Sequence, residues 1–349
     1  MQRENQDPIP NKPILETETQ DDIIFYLSLR PKRFADFVGQ KGIVDNLKMA
    51  LTAAQQRNEP VEHILFYGPP GLGKTSLAHI IANEMSSKIT ATSGPAIERA
   101  GDLIGILTNL EKGDILFIDE IHRISKVVEE YLYAAMEDFQ IDFIIDKGPY
   151  AKTIKFNLKP FTLVGATTRS GLLSAPLRGR FGIFYHLDFY NEEELSEIIR
   201  HSANVLGVKV DTISSLELAR RSRGTPRIAN RLLRRVRDYA QVKKIQTIKM
   251  EAVDEALNAL GIDKAGLDNI DRKVLKIIID VYNGGPVGIE SLAATLNEEQ
   301  DTIVDTIEPY LLKSAYLKRT KRGREATELA YNHFGIKYNR ERQKELFSG

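Results

Sequence analysis

Short apolar runs rich in β-branched residues alternate with stretches of helical periodicity between residues 36 and 188. Such alternation is typical of a parallel sheet flanked by helices, because each crossover between parallel strands needs a connecting helix. The clearest central strands are predicted at 64–67, 115–118 and 161–165. We therefore expect an α/β domain in the first half of the chain.

After Asp188 the pattern becomes purely helical, and Asn191 followed by three glutamates is typical of a capped helix start. The glycine-bounded segment 261–266 indicates a linker. Beyond it, three helices are predicted over 268–281, 289–296 and 301–312, followed by a basic hairpin. Three helices and such a hairpin form a winged-helix module.

A chain of 349 residues is too long for one ordinary core and fits two or three domains. We predict a disordered leader at 1–21, an α/β domain at 22–190, a helical domain at 191–261 and a winged-helix domain at 262–349. The leader is rich in Asn, Gln, Asp, Glu and Pro, and it has neither the basic start nor the apolar centre of a signal peptide.

A second hairpin is predicted inside the α/β domain, at 140–158, where apolar residues flank the turn at 146–150. The flanks, with Phe143 and Ile145 among them, are more apolar than an exposed ornament requires. An ornament and a docking surface for a partner both remain open at this stage.

Composition narrows the class of protein. The chain has no cysteine and six scattered histidines, so disulfides are excluded and a structural zinc site is not expected. No segment approaches the ~20 consecutive apolar residues of a membrane helix. We expect a cytoplasmic protein that does not bind membranes.

Net charge is zero, but the charges are segregated along the chain. Residues 218–237 carry eight arginines and no acid, which favours a solvated helix face. Residues 311–324 are also free of acids and include Arg319 and Arg324 around a glycine-containing turn. A cationic hairpin of this kind suits contact with phosphates, and we expect the second block to bind nucleic acid.

The segment 68–75, Gly-Pro-Pro-Gly-Leu-Gly-Lys-Thr, lies between a predicted strand and a helical pattern. Glycines at this spacing let backbone N–H groups turn towards phosphates, Lys74 reaches the β/γ oxygens and the Thr75 hydroxyl ligates Mg²⁺. The chain is therefore predicted to be a P-loop nucleotidase that uses ATP and Mg²⁺.

Two carboxylates, Asp119 and Glu120, follow the apolar strand at 115–118. Open α/β sheets bind ligands at the carboxyl ends of their strands, so we expect Asp119 to hold Mg²⁺ and Glu120 to orient the attacking water. The next strand leads to Thr168, predicted to sense the γ-phosphate; a hydrogen bond that caps the strand is the alternative.

Two arginines complete the predicted catalytic group. Arg180 follows a short helical turn, where it cannot easily reach the phosphate of its own subunit, so we expect it to act on a neighbour as an arginine finger. Arg227 follows Pro226 in the first turn of a helix, where it can sense the γ-phosphate from the second domain. The alternative for each is a surface arginine.

From about residue 22 to 338 the chain resembles the RuvB family of bacterial Holliday-junction branch-migration ATPases, which are AAA+ motors. The nucleotide motifs are common to many AAA+ proteins, whereas the arginine-rich segment and the glycine-rich turn near residue 286 are far more selective. The matching segments are 30–31, 37–40, 68–75, 92–95, 100–103, 116–123, 135–138, 165–169, 180–182, 223–237, 284–288 and 332–335.

The resemblance implies an α/β P-loop AAA+ core, a helical AAA+ lid and a winged-helix domain that contacts duplex DNA. It also implies sites for ATP, Mg²⁺ and DNA. The residues at the matching nucleotide positions are Leu29, Arg30, Gly71, Gly73, Lys74, Thr75, Ser76, Glu137, Asp138, Phe139, Arg180, Tyr190 and Arg227. Arg319 and Arg324 match the DNA-contacting arginines of the wing.

The resemblance implies partners as well. Members of the family form rings, usually of six subunits, which encircle duplex DNA and are loaded at four-way junctions by RuvA; the resolvase RuvC acts in the same complex. The hairpin at 140–158 matches the element that docks on RuvA.

The third helix of the predicted winged-helix domain and the residues that lead into it carry an unusual number of acids. Phosphates would repel them, so we predict contact through the wing without base readout, as a motor that moves over any sequence requires. The acids are Glu298, Glu299, Asp301, Asp305 and Glu308.

Two other AAA+ functions remain possible at this stage. An initiator-like switch would hold ATP to stay on one DNA sequence, and a clamp-loader-like ATPase would have a collar domain in place of the winged helix. Intact Glu120 and Arg180 favour turnover over a static switch.

Overall fold

In a computed structural model of the chain, the structure describes residues 20–144 and 153–338, which form two compact units. One unit lies within residues 28–190, and the other contains the described residues before 28 and those from 191 to 338. Residues 1–19 of the predicted leader lie outside the described residues, while Gln20 and Asp21 begin helix α1 (Gln20–Leu29). Phe25 of α1 belongs to the second unit, where the Arg234 guanidinium lies 4.8 Å from its ring.

The first unit is an α/β domain, as predicted. Its strands are β1 (Ile64–Tyr67), β2 (Ile89–Ser93), β3 (Ile115–Asp119), β4 (Gln140–Ile144), β5 (Thr153–Asn157), β6 (Thr162–Thr167) and β7 (Ile183–His186). Its α-helices are α2 (Lys41–Arg57), α3 (Lys74–Glu84), α4 (Ala100–Thr108), α5 (Lys126–Glu137) and α6 (Ala175–Gly179). Short 3₁₀ turns lie at Phe34–Asp36, Gly94–Ala96, Ile121–Arg123 and Ser170–Leu172.

The central sheet is parallel, with the strand order β2-β3-β6-β1-β7. Because all strands run the same way, the sheet has one edge where they end, here called the carboxyl edge, and one where they begin, the amino edge. The P-loop, Asp119 and Thr168 follow strands β1, β3 and β6, so all three lie at the carboxyl edge.

The predicted central strands are confirmed, with one shift. The strand expected at 161–165 runs from Thr162 to Thr167, since Thr167 still pairs with Tyr67 of β1. Phe161 instead lies in the apolar core, with 1% of its surface exposed.

The inserted hairpin is present. Strands β4 and β5 pair antiparallel from Gln140–Asn157 to Ile144–Thr153, and residues 145–152 lie outside the described part of the chain. Ile141 and Leu158 are buried in the core of the α/β domain, whereas Ile154 is 41% exposed. The base of the hairpin is thus anchored, and an apolar side chain faces solvent beyond it.

The second unit begins with a helical domain. Helix α7 (Glu192–Val205) starts with the predicted cap, in which the Asn191 and Glu194 side chains accept hydrogen bonds from each other's backbone N–H groups. The remaining elements are β8 (Lys209–Val210), α8 (Thr212–Arg220), α9 (Pro226–Val242), β9 (Thr247–Ile248) and α10 (Met250–Ala259).

The winged-helix domain follows in the same unit. It contains α11 (Asn269–Asp280), α12 (Ile289–Leu296), a helical stretch made of α13 (Gln300–Thr302), a π-helical turn (Ile303–Ile307) and α14 (Glu308–Lys313), then β10 (Leu317–Thr320), β11 (Gly323–Ala326) and α15 (Glu328–His333). Pro309 has no N–H to donate, which explains why regular α-helical bonding is interrupted just before it.

The wing is a tight hairpin whose turn is Lys321-Arg322, and Val287 bridges to Arg324 from its other side. Gly323 has φ +141°, and a Cβ there would lie 2.4 Å from the Val287 carbonyl oxygen. This position therefore requires glycine. Within the described ranges, no helix is long and apolar enough to cross a membrane.

Candidate nucleotide site and DNA-contact surface

The P-loop is folded around the Lys74 ammonium. Lys74 donates hydrogen bonds to the carbonyl oxygens of Gly68 (2.7 Å) and Pro69 (2.8 Å). Gly73 is the N-cap of helix α3 and has φ +102°. The positive end of the helix dipole therefore points into the loop. Thr75 and Ser76 occupy the first turn of that helix.

Residues predicted to lie near the adenine gather beside this loop. Tyr190 is buried and donates a hydrogen bond from its hydroxyl to the Leu72 carbonyl oxygen at 3.2 Å. Leu29 is also buried. Burial lowers the pKa of Arg30, and burial together with the charge of Arg30 lowers the pKa of His79 on α3. Arg30 therefore lies near the P-loop helix.

The predicted catalytic acids stand at the carboxyl edge. The Glu120 N–H donates to Asp119 Oδ1 at 2.9 Å, and Glu120 itself is left-handed, with φ 51°. A Cβ on Gly94 would lie 2.4 Å from the Glu120 carbonyl oxygen, so the end of β2 packs tightly on this turn. A non-glycine residue in this conformation stores strain, which is common at functional sites.

Thr168 supplies the sharpest evidence that this edge accommodates a phosphate. Its Oγ1 is buried and has no hydrogen-bond partner among the described residues. A buried hydroxyl without a partner is costly and calls for a ligand. The Thr168 hydroxyl, the Lys74 ammonium and the P-loop N–H groups are together hydrogen-bond donors that fit a nucleoside triphosphate.

Arg180 lies at the opposite edge of the sheet. The N–H groups of Gly182 and Ile183 donate to the His63 carbonyl oxygen, just before β1 begins. The four residues of β1, about 13 Å, separate this point from the P-loop. Arg180 follows α6 as predicted, and it lies on the side of the domain away from its own P-loop.

Other groups hold the Arg180 side chain. Its guanidinium donates to Glu137 Oε2 at 3.0 Å and to the Pro176 carbonyl oxygen at 2.8 Å, and it lies 4.4 Å from the Tyr133 ring centroid. Its Nε is buried with no partner in the part of the chain that the structure describes.

The segment Glu137, Asp138 and Phe139, matched to a nucleotide-bordering segment, is at this same amino edge. The Phe139 ring packs against those of His63 (6.4 Å) and Phe161 (5.8 Å), both of which precede strands. The predicted nucleotide residues of the α/β domain therefore form two groups on opposite edges of its sheet. From the sequence, only Arg180 is expected to act on a neighbour, and no local signal shows that residues 137–139 lie beside it.

Arg227 lies in the second unit. It is exposed in the first turn of α9, where Pro226 occupies the first helical position as predicted. Its contact with a γ-phosphate stays a prediction.

The two wing arginines differ in environment. Arg319 is exposed on β10. Arg324 is 6% exposed and donates two hydrogen bonds, at 3.0 and 3.1 Å, to the carboxylate of Glu308, which is 2% exposed. A contact between Arg324 and DNA would thus require this buried pair to open. Glu308, one of the five acids expected to repel phosphates, is paired with Arg324 inside the domain, so the expectation fails for Glu308 and stays a prediction for the other four.

Two arginines of the basic block at 218–237 do not belong to the solvated face that we expected for most of it. Arg221 and Arg223 are buried, at 1% and 4% exposure. The Arg223 guanidinium pairs with Asp268 (2.6 Å) and Asp271 (2.5 Å) at the start of α11, so it joins the helical domain to the winged-helix domain. The backbone of Arg223 is left-handed, with φ 55°, and nothing in the sequence indicates this conformation.

Comparison with known proteins covers almost the whole chain. Family models match residues 29–187 (Holliday junction DNA helicase RuvB P-loop domain), 190–263 (RuvB AAA lid domain) and 264–335 (RuvB C-terminal winged helix domain).

Similar proteins carry the same description. The Holliday junction branch migration complex subunit RuvB of Desulfosudis oleivorans is 56% identical over 330 residues, covering 94% of this chain and 96% of that protein. The subunit of the same name from Ligilactobacillus salivarius is 58% identical over 314 residues, covering 90% and 94%. The solved structure of the Thermotoga maritima RuvB Holliday junction branch migration motor has a TM-score of 0.84 and 51% identity, covering 89% of this chain and 100% of that one.

Proposed function

The chain belongs to the RuvB family, and from that premise we propose that it is the ATP-driven motor of Holliday junction branch migration in recombination and DNA repair. The observation that carries the proposal is the separation of the nucleotide machinery onto opposite edges of one sheet. The carboxyl edge holds the P-loop, Asp119, Glu120 and Thr168, and the amino edge holds Arg180. One subunit alone cannot complete this site.

The separation suits a ring. If the amino edge of one subunit meets the carboxyl edge of the next, each contact is head-to-tail, and such contacts form a ring when the rotation between subunits closes. Arg180 then reaches the phosphates of a neighbour, and residues 137–139 border the same nucleotide. A hexamer, usual in the family, is the stoichiometry that we propose.

ATP and Mg²⁺ are the proposed ligands of the carboxyl edge. Thr75 and Asp119 offer the oxygen ligands that Mg²⁺ prefers, and the ion would neutralise phosphate charge. Lys74 binds the phosphates, and Glu120 orients water for attack. The unpartnered Thr168 hydroxyl donates to the γ-phosphate. Arg227 reports the same phosphate to the lid. ATP hydrolysis is the reaction, and we place the chain among the DNA-translocating ATPases.

DNA contact is assigned to the wing. Arg319 is exposed beside the turn residues Lys321 and Arg322, so the tip of the hairpin is strongly cationic. Glu299 and Asp301 are exposed near the start of the third helix, which disfavours insertion of this helix into the major groove. We propose sequence-independent contact with the duplex backbone.

The two wing arginines should respond differently to substitution. Arg319→Ala is expected to weaken duplex binding equally for all sequences and to reduce the salt slope by about one. Arg319→Lys keeps the charge and should keep the slope. Arg324→Ala leaves Glu308 unpaired and should lower the free energy of unfolding by about 3 kcal/mol. Salt-dependent fluorescence anisotropy and urea denaturation separate the two; equal unfolding curves for both alanine variants would contradict this assignment.

RuvA is the proposed partner of the hairpin at 140–158, and RuvC is proposed to join the complex on the junction. Ile154 is exposed while the base of the hairpin is buried in the core. An anchored strand pair that presents an apolar side chain suits docking better than it suits an ornament.

Ile154→Asp should therefore abolish stimulation of ATP hydrolysis by RuvA while sparing the basal rate. Lys155→Asp is the matched control, because neighbouring residues of a strand face opposite ways. Steady-state ATPase assays with and without RuvA measure both rates. Equal losses of basal and stimulated activity in Ile154→Asp would mean that the hairpin is only structural.

The proposed function is tested by dissociation of a synthetic four-way DNA junction in the presence of RuvA and ATP. We expect ATP-dependent dissociation of the junction and none of a linear duplex, with Glu120→Gln inactive. Stable ATP-dependent binding without dissociation would instead indicate the initiator-like switch. A cytoplasmic location stays a prediction.

A further inference from the structure

His122 connects the catalytic glutamate to the segment that carries the phosphate sensor. Its Nδ1 lies 2.8 Å from Thr167 Oγ1, and its Nε2 lies 3.8 Å from Glu120 Oε2. The imidazole is buried, with 5% of the side chain exposed. Thr167 is likewise buried, at 1%.

Polar contacts fix the direction of this connection. The Arg169 N–H donates to Thr167 Oγ1 at 3.0 Å, so the Thr167 hydroxyl is free to donate its own proton to His122 Nδ1. A neutral imidazole that accepts at Nδ1 carries its proton on Nε2, which faces the Glu120 carboxylate. The reverse tautomer would place a lone pair against that carboxylate, which is unfavourable.

The contacts that run from Thr167 through His122 to Glu120, here called the bridge, lie directly beside Thr168. Thr168 lies between Thr167, whose hydroxyl contacts His122, and Arg169, whose backbone N–H donates to that hydroxyl. The buried Thr168 Oγ1 has no hydrogen-bond partner in the described ranges. If Thr168 shifts as it hydrogen-bonds to a phosphate, the shift can pass to the adjacent Thr167 and through its contact to the imidazole. At 3.8 Å, Glu120 is within the electrostatic reach of Nε2 but beyond hydrogen-bond distance, so a small shift can change this contact.

We propose that His122 is a positioning residue that sets the orientation of the Glu120 carboxylate according to the state of the 167–169 segment. Thr167 holds the imidazole, and the imidazole Nε2–H holds the carboxylate. This inference rests on the proposed function, since it assigns a role in ATP hydrolysis. In this role, His122 orients the Glu120 carboxylate for ATP hydrolysis only when the 167–169 segment contacts the nucleotide.

The test is a double-mutant cycle with His122→Asn and Thr167→Val. Asparagine can keep the contact with Thr167 but is too short to reach Glu120. His122→Gln reaches the Nε2 position but has no group at Nδ1, so it breaks the other half of the bridge. We expect His122→Asn and Thr167→Val each to lower kcat by about 10- to 100-fold, as groups one step from the reacting atoms commonly do. The double variant should be no slower than either single variant, because both break one bridge.

Three further readouts exclude a merely structural role. The Kd for a non-hydrolysable ATP analogue, the KM and the Tm should stay within about twofold or a few degrees of wild type. His122→Gln keeps a donor near Glu120 but loses the contact with Thr167, so it should be slowed to the same extent as Thr167→Val. Additive effects of the two substitutions, or equal losses in nucleotide binding and rate, would overturn the proposal.

Failure of this inference can be distinguished from failure of the proposed function. If wild-type protein hydrolyses ATP and dissociates junctions while His122→Asn matches it, only the role of His122 is wrong. If wild-type protein hydrolyses no ATP, the motor assignment itself fails.

Discussion

Replacing Arg180 with alanine should lower the rate of ATP hydrolysis about 10³-fold or more, the range in which an arginine finger acts on phosphoryl transfer. The reason is its place at the amino edge, where it can serve only the nucleotide of an adjacent subunit. Nucleotide affinity should change far less than kcat, because the P-loop is untouched. Steady-state ATPase kinetics and analogue binding give both quantities.

Arg178→Ala is the matched control for that experiment. Arg178 lies in the short helix that ends just before Arg180 and is exposed, so its loss should leave hydrolysis within about twofold of wild type. Equal defects in the two variants would mean that the loop, and not the Arg180 guanidinium, is responsible.

Replacing Arg223 with alanine should lower the free energy of unfolding of the second unit by about 3–5 kcal/mol, because it leaves two buried carboxylates without a counter-charge. Both acids are at the start of α11, with 4% exposure for Asp268 and 0% for Asp271. Burial, offset in part by Arg223, raises the pKa of Asp271 to about 7. The Tyr310 ring, 5.5 Å from the guanidinium, covers the cluster.

Urea denaturation followed by far-UV circular dichroism measures this effect. Arg220→Ala is the control, because Arg220 pairs with Glu217 at 2.8 Å but is 47% exposed, and partly exposed pairs contribute little. A loss below about 1 kcal/mol for Arg223→Ala would show that the cluster does not join the two domains. The expected loss would make the lid and the winged-helix domain one cooperative body, so that lid motion carries the wing.

The sequence predicted the elements whose formation depends on residues close to them in the chain. The strand, glycine loop and helix around Lys74, the strand that ends at Asp119, the cap at Asn191 and the wing all form where the pattern places them. Each depends on neighbours within about ten residues, where periodicity and capping rules apply.

Burial of charged side chains could not be predicted in the same way. Arg324 lies in a block without acids, yet its partner Glu308 is 16 residues earlier, on another element. Arg223 finds its acids 45 and 48 residues later. Such pairs are decided by tertiary packing, and a basic run in the sequence carries no sign of them.

The grouping of site residues on two edges is likewise a property of the sheet. Glu137 and Arg180 are 43 residues apart and meet because both lie where strands begin. The resemblance assigns these residues to a nucleotide, and the parallel register is what supports the proposal that this nucleotide belongs to another subunit.

The central claim, that each active site is shared by two subunits, is tested most directly by mixing two inactive variants. Glu120→Gln keeps Arg180, and Arg180→Ala keeps Glu120. If the arginine acts on a neighbour, an equal mixture should recover about a quarter of wild-type ATP hydrolysis, because about that share of contacts joins an intact glutamate to an intact arginine. A mixture as inactive as its two components would contradict the account.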